Sequence, residues 1–220
     1  MVIDYREEAL KILRSPNEHI TYELAIKQYP KDLPLEDKLK GAVMTNQLYE
    51  HFAKNPKKRK LGKFFYALSG LRHPECPIQF TIWSPDKQER LATVGFYVQA
   101  EGDNIKLVIN NIQGIKNKQN QLELLSTQLG ENWRVAIAKK IKRIAGIKKV
   151  QVAGALPAIQ GFLVPGSSPE GYRRQLRQYR QTFRKAGITT VLTHNVTPYP
   201  AYARDIWTRV KLKQNAKPPK

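Results

Sequence analysis

The sequence predicts one α/β domain: a mixed, mainly antiparallel sheet with helices on both faces, preceded by a helical N-terminal extension. Three observations predict it. Between residues 78 and 112 apolar side chains recur with a period of two and are interrupted by short polar turns, the pattern of an antiparallel meander. After residue 130, stretches of helical period alternate with short apolar runs, as helices alternate with strands in a layered α/β domain. Before residue 72 the apolar spacing is helical and prolines punctuate it.

Asp4 is a cap for a first helix ending near Arg14, and Ser15-Pro16-Asn17 separates it from a second that runs to about Gln28. Tyr29-Pro30 and Leu33-Pro34 break the chain again. From Leu35, the residues Leu39, Val43, Leu48 and Phe52 share one helical face, and Asn55-Pro56 ends that helix. The basic run Lys57-Lys58-Arg59-Lys60 follows, then a short apolar piece to Leu71. Ile78, Phe80 and Ile82 begin the meander, and Ser84-Pro85-Asp86-Lys87 turns it. A second strand spans Leu91–Gln99, Glu101-Gly102-Asp103-Asn104 turns again, and Ile105, Leu107, Ile109 and Ile112 form a third.

A polar loop covers residues 113–121, and a short helix runs from Gln121 to Gln128. Trp133, Ile137, Ile141 and Ile144 lie on one face of the next helix, with Lys139, Lys142 and Arg143 on the other. Lys149–Ala153 reads as a strand. Ser168-Pro169-Glu170 starts a helix whose apolar stripe is Tyr172, Leu176, Tyr179 and Phe183, ending at Ala186-Gly187. Ile188–Thr193 and Ile206–Leu212 read as two final strands. The organisation expected is a helical extension over 1–71, an α/β domain over 72–212 and a disordered basic tail over 213–220.

The charge is one-sided. The whole chain carries +20, and residues 132–220 hold +17 of it, with only Glu170 and Asp205 among nineteen Lys and Arg. Such a field concentrates polyanions and speeds their arrival. It implies an acidic partner: nucleic acid, an acidic carrier protein, an anionic surface or a phosphate-rich cofactor. The basic helices sharpen this. Arg173, Arg174, Arg177, Arg180 and Arg184 lie opposite the Tyr172–Phe183 stripe, as Lys139, Lys142 and Arg143 do on the preceding helix. Ordinary surface helices mix charge signs. The planar fork of Arg suits phosphate, so these eight residues are the candidate nucleic-acid contacts. The bland alternative is two solvated helix faces.

Other chemistries find less support. His19, His51, His73 and His194 are scattered without ligand spacing, so no metal is expected. No P-loop, dinucleotide fingerprint or nucleophile elbow occurs. The lone Cys76 allows no internal disulfide. No apolar run is long enough to span a membrane, and the first residues lack a signal-peptide core, so a cytoplasmic protein is expected. The best candidate ligand loop, residues 110–116, follows the third strand: Asn111, Gln113, Gly114 and Lys116 close a strand with polar groups, a glycine and a base. A helix beginning near Asn132 offers its N-terminus to an anion.

The order of these elements resembles the N-acetyltransferase-like (GNAT) superfamily. The helix end Phe183-Arg184-Lys185-Ala186-Gly187-Ile188 is similar to that superfamily's aromatic-x-x-x-Gly motif. The resemblance implies an acyl-CoA or acyl-carrier donor held after the fourth core strand and acyl transfer; the one-sided charge makes an acidic macromolecule the expected acceptor. No second glycine follows Gln113-Gly114, and Phe183 stands where such proteins often place a tyrosine acid. Tyr179, one turn earlier, is the candidate proton donor. The alternative is a non-catalytic nucleic-acid-binding protein on the same fold. A narrower likeness, Ile82-Trp83-Ser84-Pro85-Asp86 with Gly95-Phe96-Tyr97 and Asn111-Ile112-Gln113-Gly114, resembles the bacterial VirK/YbjX family over about residues 60–155.

Overall fold

The computed structural model describes residues 33–54, 58–70, 78–147, 150–156 and 169–192, together with Asp4, Glu7 and Tyr29. Among these, a helix α1 (Leu35–Lys54) precedes five strands: β1 (Arg59–Leu61), β2 (Phe64–Gly70), β3 (Ile78–Trp83), β4 (Arg90–Glu101) and β5 (Asn104–Gly114). Helices α2 (Gln119–Leu129) and α3 (Trp133–Ile147), strand β6 (Gln151–Leu156), helix α4 (Pro169–Ala186) and strand β7 (Thr189–Leu192) complete it. The strands form one sheet in sequence order. Neighbours are antiparallel from β1 to β5, and β5-β6-β7 are parallel. The predicted mixed, mainly antiparallel class with helices on both faces is the observed one.

The alternation of β4 sorts the two faces. Ala92, Val94 and Phe96 point into the larger core with Phe80, Ile82, Trp133, Ile137, Tyr179 and Phe183, so α2, α3 and α4 cover that side. Tyr97 points the other way, into a core with Ala42, Val43 and Tyr29, and α1 covers it. The Tyr29 hydroxyl donates to Val98 O at 2.6 Å, and Val98 N–H donates to Thr45 Oγ1 at 2.9 Å. The Thr45 bond fixes the helix against the middle of the sheet, and both bonds satisfy groups that burial would otherwise strand. The first turn of α1 carries Glu36 and Asp37, the charge its dipole favours.

Two turns obey their sequence. The β4–β5 hairpin reverses at Gly102-Asp103, with Gly102 at φ +58°, where a side chain would be strained. In the β3–β4 turn, Asp86 accepts hydrogen bonds from the Ser84 hydroxyl and from Gln88 N–H. These bonds, the hydroxyl first and the amide second, hold the Asp86 carboxyl below its ordinary value.

Several expectations are corrected. The helical reading as far as residue 71 fails at its end: residues 59–70 are β1 and β2, and α1 packs directly on the sheet. Lys58, from the basic run, lies 3.7 Å over the Trp83 ring and donates to Lys87 O. Residues 110–114 belong to β5 instead of a loop. The short helix begins two residues before the expected start, and α3 runs one residue past Gly146. The sixth strand is shifted to Gln151–Leu156. The first two expected helices, the Ser168 cap, the last strand Ile206–Leu212 and the tail lie outside the described residues apart from Asp4 and Glu7.

Candidate functional site

The parallel half of the sheet opens at one point. β5 pairs with β6 only from Lys106 to Ile109, against Gln151 to Gly154. β5 then runs on to Gly114 and β6 to Leu156. The parting coincides with a bulge: Gly95 pairs with Asn111 but Phe96 with Ile109, so Asn110 is an extra residue. Because of it, Ile109 and Ile112 face the same core although they are three residues apart.

Helix α4 fills the opening from its apolar side. Ile112 N–H donates to the Tyr179 hydroxyl at 2.7 Å. One turn on, the Phe183 ring lies against Gly154, where a Cβ would meet ring carbons at 2.5 Å. Tyr179 and Phe183 touch edge to face with centroids 5.8 Å apart. Both are buried. The predicted proton donor therefore has its oxygen engaged by a backbone amide of β5, and its ring wedges the structure.

The predicted cofactor loop is reorganised. Asn111, Gln113 and Gly114 sit in the last turn-ward part of β5, paired with Gly95, Thr93 and Ala92 of β4. Asn111 is buried, its Oδ1 without a partner among the described residues, whereas Gln113 and Lys116 are exposed. Gly114 admits a side chain of the protein itself: a Cβ there would lie 2.8 Å from Leu122 Cδ1 of α2. The actual turn is 115–118, held by Ile115 N–H to Leu91 O and by Lys118 N–H to Ile115 O, with Asn117 at φ +66°. At the start of α3 two first-turn amides are already engaged. Trp133 N–H donates to Ser126 Oγ and Arg134 N–H to Asn132 Oδ1, each at 3.0 Å. The capping role of Asn132 explains why the helix begins there.

The eight basic residues fare differently. Arg173, Arg174, Arg177, Arg180 and Arg184 are all exposed along α4, and among the described residues none meets a carboxylate. The spacing 173, 177, 180, 184 keeps four of them on one stripe. Lys139, Lys142 and Arg143 are exposed on α3. Lys139 pairs with Glu131 at 2.7 Å. Lys142 Nζ donates to Gly187 O at 2.5 Å, so the basic side of α3 adjoins the C-terminal end of α4. Lys139, Lys140 and Arg143 line a shallow groove of about 260 Å³ with Leu129, Glu131 and Ala136. Lys140, which the sequence did not single out, lies 4.7 Å over the Tyr66 ring at the edge of this groove.

Arg134 is the other residue that sequence reasoning passed over. It stands in the first turn of α3, half-buried, with its guanidinium 4.6 Å from the Trp133 ring centroid. Burial lowers its pKa, and Tyr179 is close enough to act in the opposite sense. Nothing in a one-dimensional pattern separates it from the other bases of that helix.

No group of His, Cys, Asp and Glu able to hold a metal occurs among the described residues, and none of the described helices is long and apolar enough to cross a membrane. No protein-family model, no curated protein and no solved structure matches the chain.

Proposed function

We propose that the chain binds a phosphate-backbone polymer, a nucleic acid, through the outer faces of α3 and α4. The observation that carries this reading is the set of five exposed arginines on α4, four of them on one stripe, with no acidic partner among the described residues. Like charges one turn apart on a helix each cost about 0.2–0.5 kcal/mol. Arg184 and Lys185 in the last turn gain from the helix dipole, but Arg173, Arg174, Arg177 and Arg180 do not. A bound polyanion would relieve that repulsion. The groove on α3 adds cations beside an apolar wall. Contacts of this kind position a backbone and carry no sequence information, so affinity should depend steeply on salt and weakly on sequence. Fluorescence anisotropy with duplex DNA, single-stranded DNA and RNA over a range of salt tests it. Absence of binding to all three at low salt would exclude it.

A second reading keeps an acyl-CoA or acyl-carrier donor and acyl transfer. The parting of β5 and β6 beyond Ile109 and Gly154 favours it, because two separating parallel strands leave backbone groups for an inserted chain. The ring of Phe183 on Gly154 and the Tyr179–Ile112 bond occupy that place, so a donor would have to displace α4 side chains. Calorimetry with acetyl-CoA and longer acyl-CoAs decides, and a lack of heat at millimolar ligand removes this reading.

A further inference from the structure

We infer that the bound polymer is a duplex, and that it is held at a second station beyond α3, where Arg59 of β1 and Lys140 of α3 meet beside Tyr66. This inference rests on the nucleic-acid reading above and extends its surface to the first strand of the sheet. Arg59 is the direct cross-strand partner of Tyr66, and directly opposed residues of an antiparallel pair share a face. Leu61, of the same parity as Arg59, is buried in the larger core, so Arg59 stands on the side that α2, α3 and α4 cover. It is exposed there. Lys140 reaches the same ring from α3, its Nζ 4.7 Å from the centroid. Gly62, at φ +64°, lies against the Gln128 side chain near the end of α2, which brings the β1–β2 turn beside the groove residues Leu129 and Glu131.

The cations therefore form a band across this side. Lys142 meets the end of α4 at Gly187 O, Lys139 and Arg143 are exposed on α3, Lys140 turns toward β2, and Arg59 lies beyond it. Glu131 is the carboxylate in the groove lining, and Lys139 offsets it. Among the described residues Arg59, Lys140 and Arg143 meet no carboxylate. Helix α4 lies on β6, where Phe183 covers Gly154, and β1 is five strand spacings from β6, about 24 Å. That span equals about seven base-pair steps of duplex. The described aromatic rings of α3 and α4, Trp133, Tyr179 and Phe183, are buried, and Lys140 lies over Tyr66. Unpaired bases therefore find no described ring to stack on along the band, whereas a duplex presents its phosphates outward to the cations.

The test measures affinity against salt for the full chain, with duplex DNA of about 20 base pairs and single-stranded DNA of the same length as probes. The double variant R59Q/K140Q should keep the circular dichroism of the parent. Its slope of log affinity against log salt on the duplex should be flatter by about 2, since each phosphate contact contributes about 0.9. Two separate sites would leave the slope of the tighter one unchanged. Flattening in this variant and also in R173A/R174A/R177A/R180A therefore shows one molecule touching both stations. Lys140→Arg keeps the charge and should keep the parent slope. So should Lys60→Gln, because Lys60 opposes Phe65 on the other face of the sheet. The inference is overturned, with the α4 reading left standing, by an unchanged slope in R59Q/K140Q or by an equal loss in Lys60→Gln. Loss of slope in Lys140→Arg, or tighter binding of the single strand than of the duplex, overturns it likewise. A parent slope near zero on both probes removes the nucleic-acid reading itself, and this inference with it.

Discussion

The amide of Ile112 donates to the hydroxyl of Tyr179 at 2.7 Å, tying α4 to the part of β5 that has left β6. Both residues are buried, so this bond satisfies a main-chain donor that the parted strand would otherwise leave bare. The Tyr179 side chain thus has a structural duty that any chemistry at this place must share.

Tyr179→Phe removes the acceptor and leaves the amide in an apolar setting. Urea denaturation should show a loss of about 1–3 kcal/mol. A variant as stable as the parent would mean that the Ile112 amide has another partner and that the wedge is held by packing alone.

Gly154 is needed because Phe183 lies on its Cα. Gly154→Ala should destabilise the protein by about 1–3 kcal/mol through overpacking. Phe183→Leu should recover part of that loss in the double variant, although it is destabilising on its own. Simple additivity of the two changes would contradict direct contact.

The β3–β4 turn gives a pH prediction. Asp86 has a lowered pKa in the folded chain, chiefly through the Ser84 hydroxyl and then through Gln88 N–H. Its contribution to stability is therefore present above the ordinary carboxylate range and fades as pH falls through the folded value. In Ser84→Ala the carboxyl should titrate closer to its ordinary value, so less stability is lost on acidification and the loss is complete at a higher pH. A carbon-detected NMR titration of the Asp86 carboxyl checks this; an unmoved midpoint would assign the shift to the backbone.

Much of this architecture is legible in the sequence, and the reasons differ by element. Strands β3 to β5 announce themselves because one face is apolar and each turn carries its own chemistry, Ser84-Pro85-Asp86 and Gly102-Asp103. Helix α4 is legible because its cationic and apolar positions separate at helical spacing, and the structure exposes all five of the arginines. Strand β2 is hidden: Phe64-Phe65-Tyr66-Ala67-Leu68 is apolar on both parities, since both faces of the sheet are covered there. Asn110 to Gly114 looks like a loop because its polar side chains obscure a strand that a bulge has kinked. The electrostatic environment of Arg134 includes Tyr179, 45 residues away in sequence, so no local pattern contains it.

The measurement that bears most directly on the central claim is the salt dependence of nucleic-acid affinity for the parent and for R173A/R174A/R177A/R180A. Each phosphate contact on duplex DNA contributes about 0.9 to the slope of log affinity against log salt. The account predicts a steep slope in the parent that flattens by about 3–4 in the variant, with circular dichroism unchanged. A parent slope near zero, or a variant slope equal to that of the parent, would contradict the assignment of α4 as the phosphate-binding face.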